Sequence, residues 1–236
     1  MPAALVTCSA RGIGRAILLA LAADGYDVAV HYRSSQAEAL AVAREASEFG
    51  VTADTLQADV TRPDDAADLV HLAAASLGGL NVLVNNVGNY HRGPLGELDA
   101  ATWLEMFASN LHATFYTCQA AVPLLRERGG GRIVNLGYAG AQVFTARPDI
   151  AAYAIAKTGV ILYSKALAKD NAAHGITVNV VSPGVLENSV TKPLSEIPMG
   201  RAGELGELTG AVRYLVSSEA RYVTGVTLEV AGGWNL

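Results

Sequence analysis

The amino-acid sequence predicts an α/β fold in which one parallel β-sheet is covered by helices on both faces. Short runs of β-branched residues alternate with longer stretches rich in alanine and leucine along all 236 residues. The strand candidates are apolar on both faces, which is typical of strands buried in a parallel sheet. Glycines stand where helices should stop, as C-cap glycines do, at Gly25, Gly50, Gly78 and Gly175. Since right-handed crossovers join parallel strands, we predict a doubly wound, seven-stranded sheet.

Strands and helices are predicted to alternate along the whole chain. The strands are expected at residues 4–7, 27–32, 52–57, 81–85, 132–136, 177–181 and 227–230. The helices are expected at residues 12–24, 36–49, 63–77, 101–128, 151–174 and 204–218. No linker or internal repeat divides the sequence, so residues 1–236 are predicted to form a single domain.

The composition argues against several classes of protein. Hydrophobic residues make up 51% and charged residues 17% of the chain, which favours a large buried core over disorder. A net charge of -5 argues against a nucleic-acid or anionic-membrane partner, and no apolar run approaches the roughly 20 residues that span a bilayer. Cys8 and Cys118 alone give neither a disulfide framework nor a metal site. We expect a soluble, cytoplasmic protein without a bound metal.

Most of the unusual residues follow the ends of the predicted strands. In a doubly wound sheet, ligands bind beyond the carboxyl ends of the strands. The segments at those ends are residues 7–14, 32–35, 59–60, 85–88, 137–140 and 182–188. We therefore expect the functional site at this edge of the sheet.

A glycine-rich turn joins the first strand to the first helix. Gly12 would let the backbone approach a pyrophosphate, and Gly14 would let the helix pack close to the strand. Exposed N–H groups at the start of the helix would then bind the phosphates. Turns use glycine freely, so a purely structural turn is the alternative. The position in the first strand–turn–helix unit favours a dinucleotide site.

The end of the second strand distinguishes between two nicotinamide dinucleotides. An NAD site usually places Asp or Glu there to bond the ribose hydroxyls. Here the run is Tyr32-Arg33-Ser34, with no carboxylate. Arg33 and Arg11 could clamp a 2′-phosphate, and Ser34 could donate to it. Arg33 could instead begin a solvated loop. Because both arginines flank the same predicted pocket, we predict NADP(H) as the cofactor.

Tyr153 and Lys157 are the leading catalytic candidates. Their i, i+4 spacing puts the phenol and the ammonium on one helix face, a turn apart. A nearby ammonium is expected to lower the pKa of the phenol towards neutrality. Tyr153 would then donate a proton to a carbonyl oxygen while a hydride arrives at the carbon. Taken alone, such a pair is commonplace and is more often a packed surface pair.

The pair is not alone, because ordered motifs along essentially the whole chain resemble those of the short-chain dehydrogenase/reductase family. The matching segments, in the order of the family, are Thr7…Gly12-Ile13-Gly14, Ala58-Asp59-Val60, Asn85-Asn86-Val87-Gly88, Asn110, Gly131-Arg132-Ile133-Val134-Asn135, Tyr153…Lys157, Val178-Asn179, Ser182-Pro183-Gly184 and Gly232-Gly233. The resemblance implies a Rossmann fold and an NADP-dependent oxidoreductase. The 3-oxoacyl-(acyl carrier protein) reductase branch is the closest general likeness.

The resemblance, together with the arguments above, implies a set of cofactor contacts. They are Thr7, Ser9, Arg11, Gly12, Ile13, Gly14, Tyr32, Arg33, Ser34, Asp59, Val60, Asn86, Gly88, Tyr153, Lys157, Pro183, Gly184 and Val185. Within this set, the family pattern implies that Asp59 and Val60 meet the adenine and that Lys157 binds the nicotinamide ribose. It implies that residues 183–185 border the nicotinamide.

Asn110 is the remaining catalytic candidate that the resemblance supplies. By the family pattern, it would hold a water that links Lys157 to bulk solvent as a proton relay. A polar residue within the apolar run 107–115 needs a hydrogen-bond partner in any case, so a structural role is the alternative.

Cys8 stands where the first glycine of the family's loop normally lies. If that residue needs a positive φ, a cysteine costs about 1 kcal/mol or more there. The alternative, which we favour because the rest of the loop is intact, is that its side chain packs beneath the phosphates. A reactive thiol is the third interpretation and the least favoured, since no flanking His or Lys activates it.

The catalytic serine of the family is missing. That serine is the third residue after the position of Asn135, where this chain has Tyr138. Counting back the usual spacing from Tyr153 reaches Gly140 instead, so the loop is slightly longer than in relatives. Losing such a hydrogen-bond donor typically costs about 10²–10³ in rate. Tyr138 either substitutes for the serine from further away or forms a hydrophobic wall of the pocket.

The segment between Gly184 and Arg201 is shorter than the helical lid that relatives carry over the substrate. Asn188 occupies the place where a threonine commonly contacts the carboxamide of nicotinamide. A short lid favours a bulky or carrier-borne substrate, or a site completed by a neighbouring subunit. The helices at 111–125 and 154–168 are apolar on more than one face, so we expect a homo-oligomer, most often a tetramer in relatives.

Three functions are compatible with these observations. The leading hypothesis is an NADPH-dependent reductase of a small-molecule or carrier-bound carbonyl. A pteridine-type reductase of C=N bonds is the second, because the run Val30-His31-Tyr32-Arg33-Ser34 is similar to that group, which also lacks the serine; its usual Asp is missing here. An NADP(H)-binding scaffold or regulator with low turnover is the third, motivated by the lost serine.

Overall fold

Seven parallel strands form one sheet in the computed structural model, which describes residues 1–235. The strands are β1 (Ala3–Val6), β2 (Asp27–Tyr32), β3 (Ala53–Gln57), β4 (Val82–Asn85), β5 (Gly131–Leu136), β6 (Ile176–Pro183) and β7 (Thr227–Val230). Their order across the sheet is β3-β2-β1-β4-β5-β6-β7. The chain winds outward from β1 to β3, then restarts at β4 on the other side of β1. The predicted doubly wound, seven-stranded sheet is confirmed, and β1 and β4 flank its switch point.

Helices cover both faces of this sheet. They are α1 (Gly12–Ala23), α2 (Gln36–Ser47), α3 (Pro63–Ser76), α4 (Ala100–Phe107), α5 (Ala113–Glu127), α6 (Ala151–Asn171) and α7 (Leu205–Val216). Successive residues of β1 point to opposite faces, as the pleat requires. Ala4 and Val6 pack with α1, α2 and α7, whereas Ala3 and Leu5 pack with α3, α5 and α6. Both apolar layers therefore include residues of the central strand β1, whose four residues are all apolar and buried.

The helix expected over residues 101–128 is interrupted. Helices α4 and α5 are joined by a π-helical turn, Ala108–His112. Inside this turn, the Asn110 Nδ2 group donates to the carbonyl of Met106 at 3.0 Å, and the Ser109 hydroxyl donates to the carbonyl of Glu105 at 2.8 Å. Side chains that bond to the carbonyls four residues earlier disturb the helical ladder. The apolar pattern of the sequence continues through the turn, so it gave no sign of the interruption.

The segment Pro148–His174, which contains α6, is long and apolar enough by composition to cross a membrane. Its buried residues include Ala156, Val160 and Leu167, and the charged Lys157 is buried among them. Helix α6 lies directly beside β6 on one face of the sheet. These contacts describe a helix packed within the fold.

Candidate active site

The turn after β1 brings the backbone close to helix α1, as the glycines predict. A Cβ atom placed on Gly14 would lie 2.2 Å from the carbonyl oxygen of Cys8, so only glycine permits this approach. The Asn86 Nδ2 group donates to the carbonyls of Thr7 at 3.2 Å and Cys8 at 3.1 Å. The backbone N–H of Asn86 donates to the Thr7 hydroxyl at 2.9 Å. Thr7 and Asn86 therefore hold the loop to the end of β4.

Cys8 adopts the left-handed backbone conformation that the sequence left as one alternative. Its φ angle is +52° and its side chain is exposed. The unusual backbone conformation is therefore present, so our preference for an ordinary backbone at Cys8 is wrong, and the packing of the thiol beneath phosphates stays a prediction. Desolvation raises the pKa of the thiol more than Arg11 and Arg33 lower it, so the reactive thiolate is not favoured either.

A cavity of about 230 Å³ opens beyond the ends of β1, β2 and β3. Its walls include many of the predicted cofactor residues, namely Arg11, Tyr32, Arg33, Ser34, Asp59, Val60 and Gly88. The Arg33 guanidinium lies 3.9 Å from the Asp59 carboxylate, and Arg11 donates to the Ser35 hydroxyl at 2.7 Å. Both arginines are exposed, so their guanidinium groups can turn towards a bound anion. The structure thus brings together the two arginines that the sequence proposed as a phosphate clamp.

Ser9 lies behind this cavity. It is fully buried, and its hydroxyl accepts a hydrogen bond from the backbone N–H of His31 at 3.0 Å. The backbone N–H of Ser9 donates to the carbonyl of His31 at 3.0 Å. Ser9 therefore ties the glycine-rich loop to β2, and the exposed Gly12 with the half-buried Ile13 begins helix α1 in front of it.

Lys157 and Asn110 meet at Gly88, beyond the ends of β4 and β5. A Cβ atom on Gly88 would lie 2.3 Å from Asn110 Oδ1 and 3.2 Å from Lys157 Nζ. Lys157 is buried and donates to the carbonyl of Leu136 at 2.8 Å. Burial lowers the pKa of Lys157 to about 8. Lys157 on α6 and Asn110 in the π-helical turn, which the sequence predicts to be neighbours, therefore lie side by side.

The π-helical turn determines how Asn110 is presented. Its Nδ2 group donates to the carbonyls of Asn89 at 2.9 Å and Met106 at 3.0 Å. Its Oδ1 atom is buried and has no hydrogen-bond partner among residues 1–235. An unpaired buried acceptor costs about 1–3 kcal/mol, so a water or ligand that donates to it would be stabilising. The Asn110 Oδ1 atom lies next to Gly88, on the side where Lys157 Nζ also approaches that glycine.

Tyr153 lies between two other tyrosine rings. Its ring centroid is 5.0 Å from that of Tyr90 in an edge-to-face arrangement and 5.5 Å from that of Tyr138. Burial, with smaller contributions from Tyr90 and Tyr138, raises the pKa of Tyr153. The expected lowering by Lys157 is therefore wrong for this structure. Lys157 Nζ is 6.0 Å from the Tyr153 ring centroid and donates to the carbonyl of Leu136, so its charge does not outweigh the desolvation of the phenol.

Tyr138 occupies the position of the missing serine at the end of β5. Its side chain is 9% exposed and packs with Ala141, Ile161 and Val180. It also lines a second, largely apolar cavity of about 620 Å³ between the loop after β5 and helix α6. Burial raises the pKa of the Tyr138 phenol. This packing favours the wall of the pocket over a substitute for the serine.

The end of β6 closes the other side of the site. The N–H of Gly184 donates to the carbonyl of Val230 at 2.9 Å, and the carbonyl of Pro183 accepts from Ala139 at 3.0 Å. Val185 follows and is buried. The short segment beyond it contains a 3-10 turn, Leu194–Glu196, and an isolated β-bridge from Leu186 to Gly203. Asn188 Nδ2 would lie 3.6 Å from a Cβ atom on Gly12, so the start of this segment reaches across to the glycine-rich loop.

Comparison with known proteins agrees with this geometry. A family model described as enoyl-(acyl carrier protein) reductase matches residues 8–235. The 3-oxoacyl-[acyl-carrier-protein] reductases of Staphylococcus aureus strain Mu50 and Escherichia coli strain K12 are each 36% identical, over 98% of this chain and 96% of theirs. The chain belongs to the short-chain dehydrogenase/reductase family. The resemblance seen in the sequence motifs is confirmed.

Solved structures of short-chain dehydrogenase/reductase type share the fold over the whole chain. A blue fluorescent protein from a metagenomic library, in complex with NADPH, is 35% identical with a TM-score of 0.94, covering 100% of this chain and 98% of that one. A putative short-chain alcohol dehydrogenase from Sinorhizobium meliloti 1021 is 33% identical with a TM-score of 0.93, covering 99% and 96%. The family is one of nicotinamide-dependent oxidoreductases. The family model is described as an enoyl reductase and the two bacterial relatives are 3-oxoacyl reductases, so the comparison gives the reaction class and leaves the substrate to the site.

Two residues of the site have no counterpart among the sequence predictions. Tyr90 stands two positions after the Asn85–Gly88 motif. This position at the carboxyl edge of the sheet could have indicated from the sequence that Tyr90 belongs to the site. His31 was noticed only as part of a run at the end of β2. Its ring contacts depend on two other loops, and the sequence alone does not show them.

Proposed function

We propose that this protein is an NADPH-dependent reductase that converts a carbonyl to an alcohol, acting on a 3-oxoacyl thioester or another ketone. The observation that carries the proposal is the meeting of Lys157 and Asn110 at Gly88, with the Tyr153 ring centroid 6.0 Å from Lys157 Nζ, beside a loop built to approach phosphates. The similarity to 3-oxoacyl-[acyl-carrier-protein] reductases over nearly the whole chain supports the same reaction class.

The residues of the site fit a nicotinamide dinucleotide. Gly12 and Gly14 open the backbone at the start of α1, where N–H groups can bind phosphates. Arg11 and Arg33 lie on the wall of the first cavity without an acid in the place that an NAD site uses. We therefore propose NADP(H) as the preferred cofactor. When bound, the cofactor supplies a hydride to the carbonyl carbon.

Tyr153 donates its phenolic proton to the carbonyl oxygen in this mechanism, so hydride and proton together complete the alcohol. The raised pKa of Tyr153 keeps the phenol protonated at neutral pH, which is the state that a proton donor needs. The ammonium of Lys157 stabilises the phenolate that remains. Asn110 Oδ1 offers the free acceptor that a water would need to pass a proton from solvent towards Lys157.

The substrate side of the site is open and apolar. The second cavity is lined by Leu95, Tyr138, Phe144 and Ile155, and all of these except Tyr138 are exposed apolar side chains. These features support a substrate with a long apolar part, such as an acyl chain presented on a carrier. The carrier itself would remain outside the cavity.

The aromatic cluster favours one second candidate. Tyr90 and Tyr138 flank Tyr153, and aromatic faces of this kind stack well on flat heteroaromatic rings. A pteridine-type substrate, reduced at a C=N bond, would use the same proton donor. The aspartate that such reductases normally carry is absent from the sequence at the position of the lost serine, which weighs against this candidate.

The proposal is tested by measuring the fall in NADPH absorbance when the protein is given a panel of substrates. One arm contains 3-oxoacyl thioesters and simple ketones, and the other contains dihydropteridines. We expect turnover in the first arm. Turnover only in the second arm would favour the pteridine reductase. NADPH binding with no turnover in either arm would contradict both and favour a scaffold or regulator.

We also propose a homo-oligomer, most simply a tetramer. Phe115 on α5 and Ile155 and Leu162 on α6 are exposed apolar side chains of the two long helices, and the two on α6 also line the second cavity, so a neighbouring subunit packed there would complete its wall. Burying them between subunits would remove apolar surface from water. Light scattering across a dilution series should report a mass above that of one chain, and a constant monomer mass would contradict the proposal.

A further inference from the structure

His31 connects three strand ends at the cofactor side of the sheet. It lies one residue before the end of β2 and is 2% exposed. Its Nδ1 atom accepts a hydrogen bond from the backbone N–H of Cys8 at 2.9 Å, and its Nε2 atom lies 3.2 Å from the carbonyl of Ala58. The ring therefore bridges the glycine-rich loop after β1 and the loop after β3.

These two contacts define the state of the ring. Because Nδ1 accepts from an N–H group, it carries no proton, so the proton is on Nε2 and is donated to Ala58. Burial lowers the pKa of His31 to about 4, and the ring is therefore neutral at physiological pH. A neutral ring with both nitrogens satisfied is rigidly oriented.

The backbone that His31 holds is the strained one. Cys8 has a φ of +52°, a left-handed conformation that residues with a Cβ atom rarely adopt. The carbonyl of Cys8 accepts from Asn86 Nδ2 at 3.1 Å. Both polar groups of this residue are thus fixed, the N–H by β2 and the carbonyl by the end of β4. Neither contact to the Cys8 backbone would require a cysteine side chain.

We infer that His31 is a positioning residue for the cofactor site, whose Nδ1 atom holds the non-glycine residue Cys8 in the conformation that the phosphate-binding loop requires. This inference rests on the proposed function of the loop in binding NADP(H). It assigns His31 to cofactor affinity and leaves the chemical step to Tyr153. A loop with glycine at position 8 would adopt the same conformation with less dependence on the ring.

Two isosteric variants separate the contacts of the ring. His31→Asn places an acceptor, Oδ1, where Nδ1 lies, and so keeps the bond from Cys8. His31→Gln places an amide where Nε2 lies, and so keeps the bond to Ala58 but loses that from Cys8. NADPH affinity is measured by titration of its fluorescence. We expect His31→Asn to stay within about threefold of the unmodified protein and His31→Gln to weaken NADPH by roughly 5- to 150-fold, the loss of one buried hydrogen bond.

A second pair of variants tests the link to backbone strain. In a Cys8→Gly background, the loss caused by His31→Gln should shrink several-fold, because glycine adopts a positive φ without strain. In the matched Cys8→Ala background, the loss should remain full. A general defect in folding would lower the unfolding temperature equally in both backgrounds and would not be rescued by glycine alone.

The outcomes separate this inference from the proposed function. If the unmodified protein fails to bind NADPH, the proposed function fails. If it binds NADPH and the Asn and Gln variants behave alike, or the glycine and alanine backgrounds give the same loss, the role assigned to His31 is wrong.

Discussion

The two halves of the sheet's carboxyl edge differ in how their loops are held. On the side of β1 to β4, the loop after β1 is fixed by hydrogen bonds in which Thr7, Ser9, His31 and Asn86 take part, and most of these residues are buried. On the side of β5 to β7, the loop after β5 exposes large side chains such as Phe144, which is 79% exposed.

The difference has a physical origin. The cofactor half must present backbone N–H groups at fixed positions, so its conformation is determined by contacts within the chain. The substrate half is shaped by whatever it binds, and its apolar side chains gain little from the rest of the fold. Residues that bind the cofactor are therefore recognisable by motif, whereas those that choose the substrate are not.

Replacing the proton donor should have the largest effect. Tyr153→Phe should lower kcat by about 10²–10⁴ while leaving NADPH affinity nearly unchanged, because the ring and its packing remain and only the acid is lost. Steady-state rates and NADPH titration measure the two effects. Tyr214→Phe, an exposed tyrosine on α7, is the matched control. Near-normal kcat in Tyr153→Phe would rule out this proton donor.

The preference for NADPH over NADH should depend on Arg33, which lies on the cofactor half of the sheet edge. Arg33→Asp should weaken NADPH relative to NADH by about 1–3 kcal/mol, the range for one charge-assisted hydrogen bond. The new carboxylate would repel a 2′-phosphate and could accept from ribose hydroxyls. Titration of both reduced cofactors measures the change in preference, with Arg62→Asp as a control outside the cavity. An unchanged ratio of affinities would remove Arg33 from the site.

The pH dependence of kcat/KM should follow the titration of the Lys157 amine. Its pKa is about 8, so above that pH the amine becomes neutral and no longer stabilises the phenolate of Tyr153. We expect kcat/KM to fall above pH 8, by up to about tenfold per pH unit. Tyr153 keeps its proton across this range because burial raises its pKa.

The free energy of unfolding should change with pH in the opposite direction to kcat/KM. Lys157 titrates at about 8 in the folded protein and near 10.5 when unfolded, so the unfolded state binds more protons between these values. This group therefore opposes folding fully below pH 8, and its opposition is relieved as the pH rises towards 10.5. Thermal unfolding at each pH would separate a loss of activity from a loss of fold. A flat kcat/KM up to pH 10 would contradict the assignment.

Tyr138 should have the smallest effect among the site residues. Its packing against Ile161 and Val180 indicates a wall, so Tyr138→Phe should cost tenfold or less in kcat/KM. A loss of about 10²–10³ would instead show that the hydroxyl replaces the serine of the family. Tyr138→Ser is the informative companion, because a rise in its activity would show a site weakened by the lost serine.

The fold was predictable because it depends on patterns that repeat along the chain. Apolar strands, C-cap glycines and the alternation of elements led to the correct sheet, with strand ends displaced by a residue or two, as at β6. The π-helical turn at Asn110 was not predictable, because it arises when a polar side chain bonds to an earlier carbonyl inside an uninterrupted apolar pattern.

The site was predictable in its membership and less so in its chemistry. Spacing and motif brought Tyr153, Lys157 and Asn110 together correctly. The pKa of Tyr153 depends on its burial first and then on the rings of Tyr90 and Tyr138, and these groups meet only in the folded protein. The backbone N–H of Cys8 likewise bonds to His31, which is distant in sequence. Such properties belong to tertiary contacts that no local pattern records.

The most direct test of whether the protein reduces a carbonyl with hydride from NADPH is the transfer of deuterium from the cofactor to the product. NADPH that carries deuterium at C4 of the nicotinamide is incubated with the protein and a 3-oxoacyl thioester, and the product is analysed by mass spectrometry. We expect a 3-hydroxyacyl product with deuterium on the carbon that bears the hydroxyl group. Tight NADPH binding without any labelled alcohol from the 3-oxoacyl thioesters and ketones of the panel would contradict it.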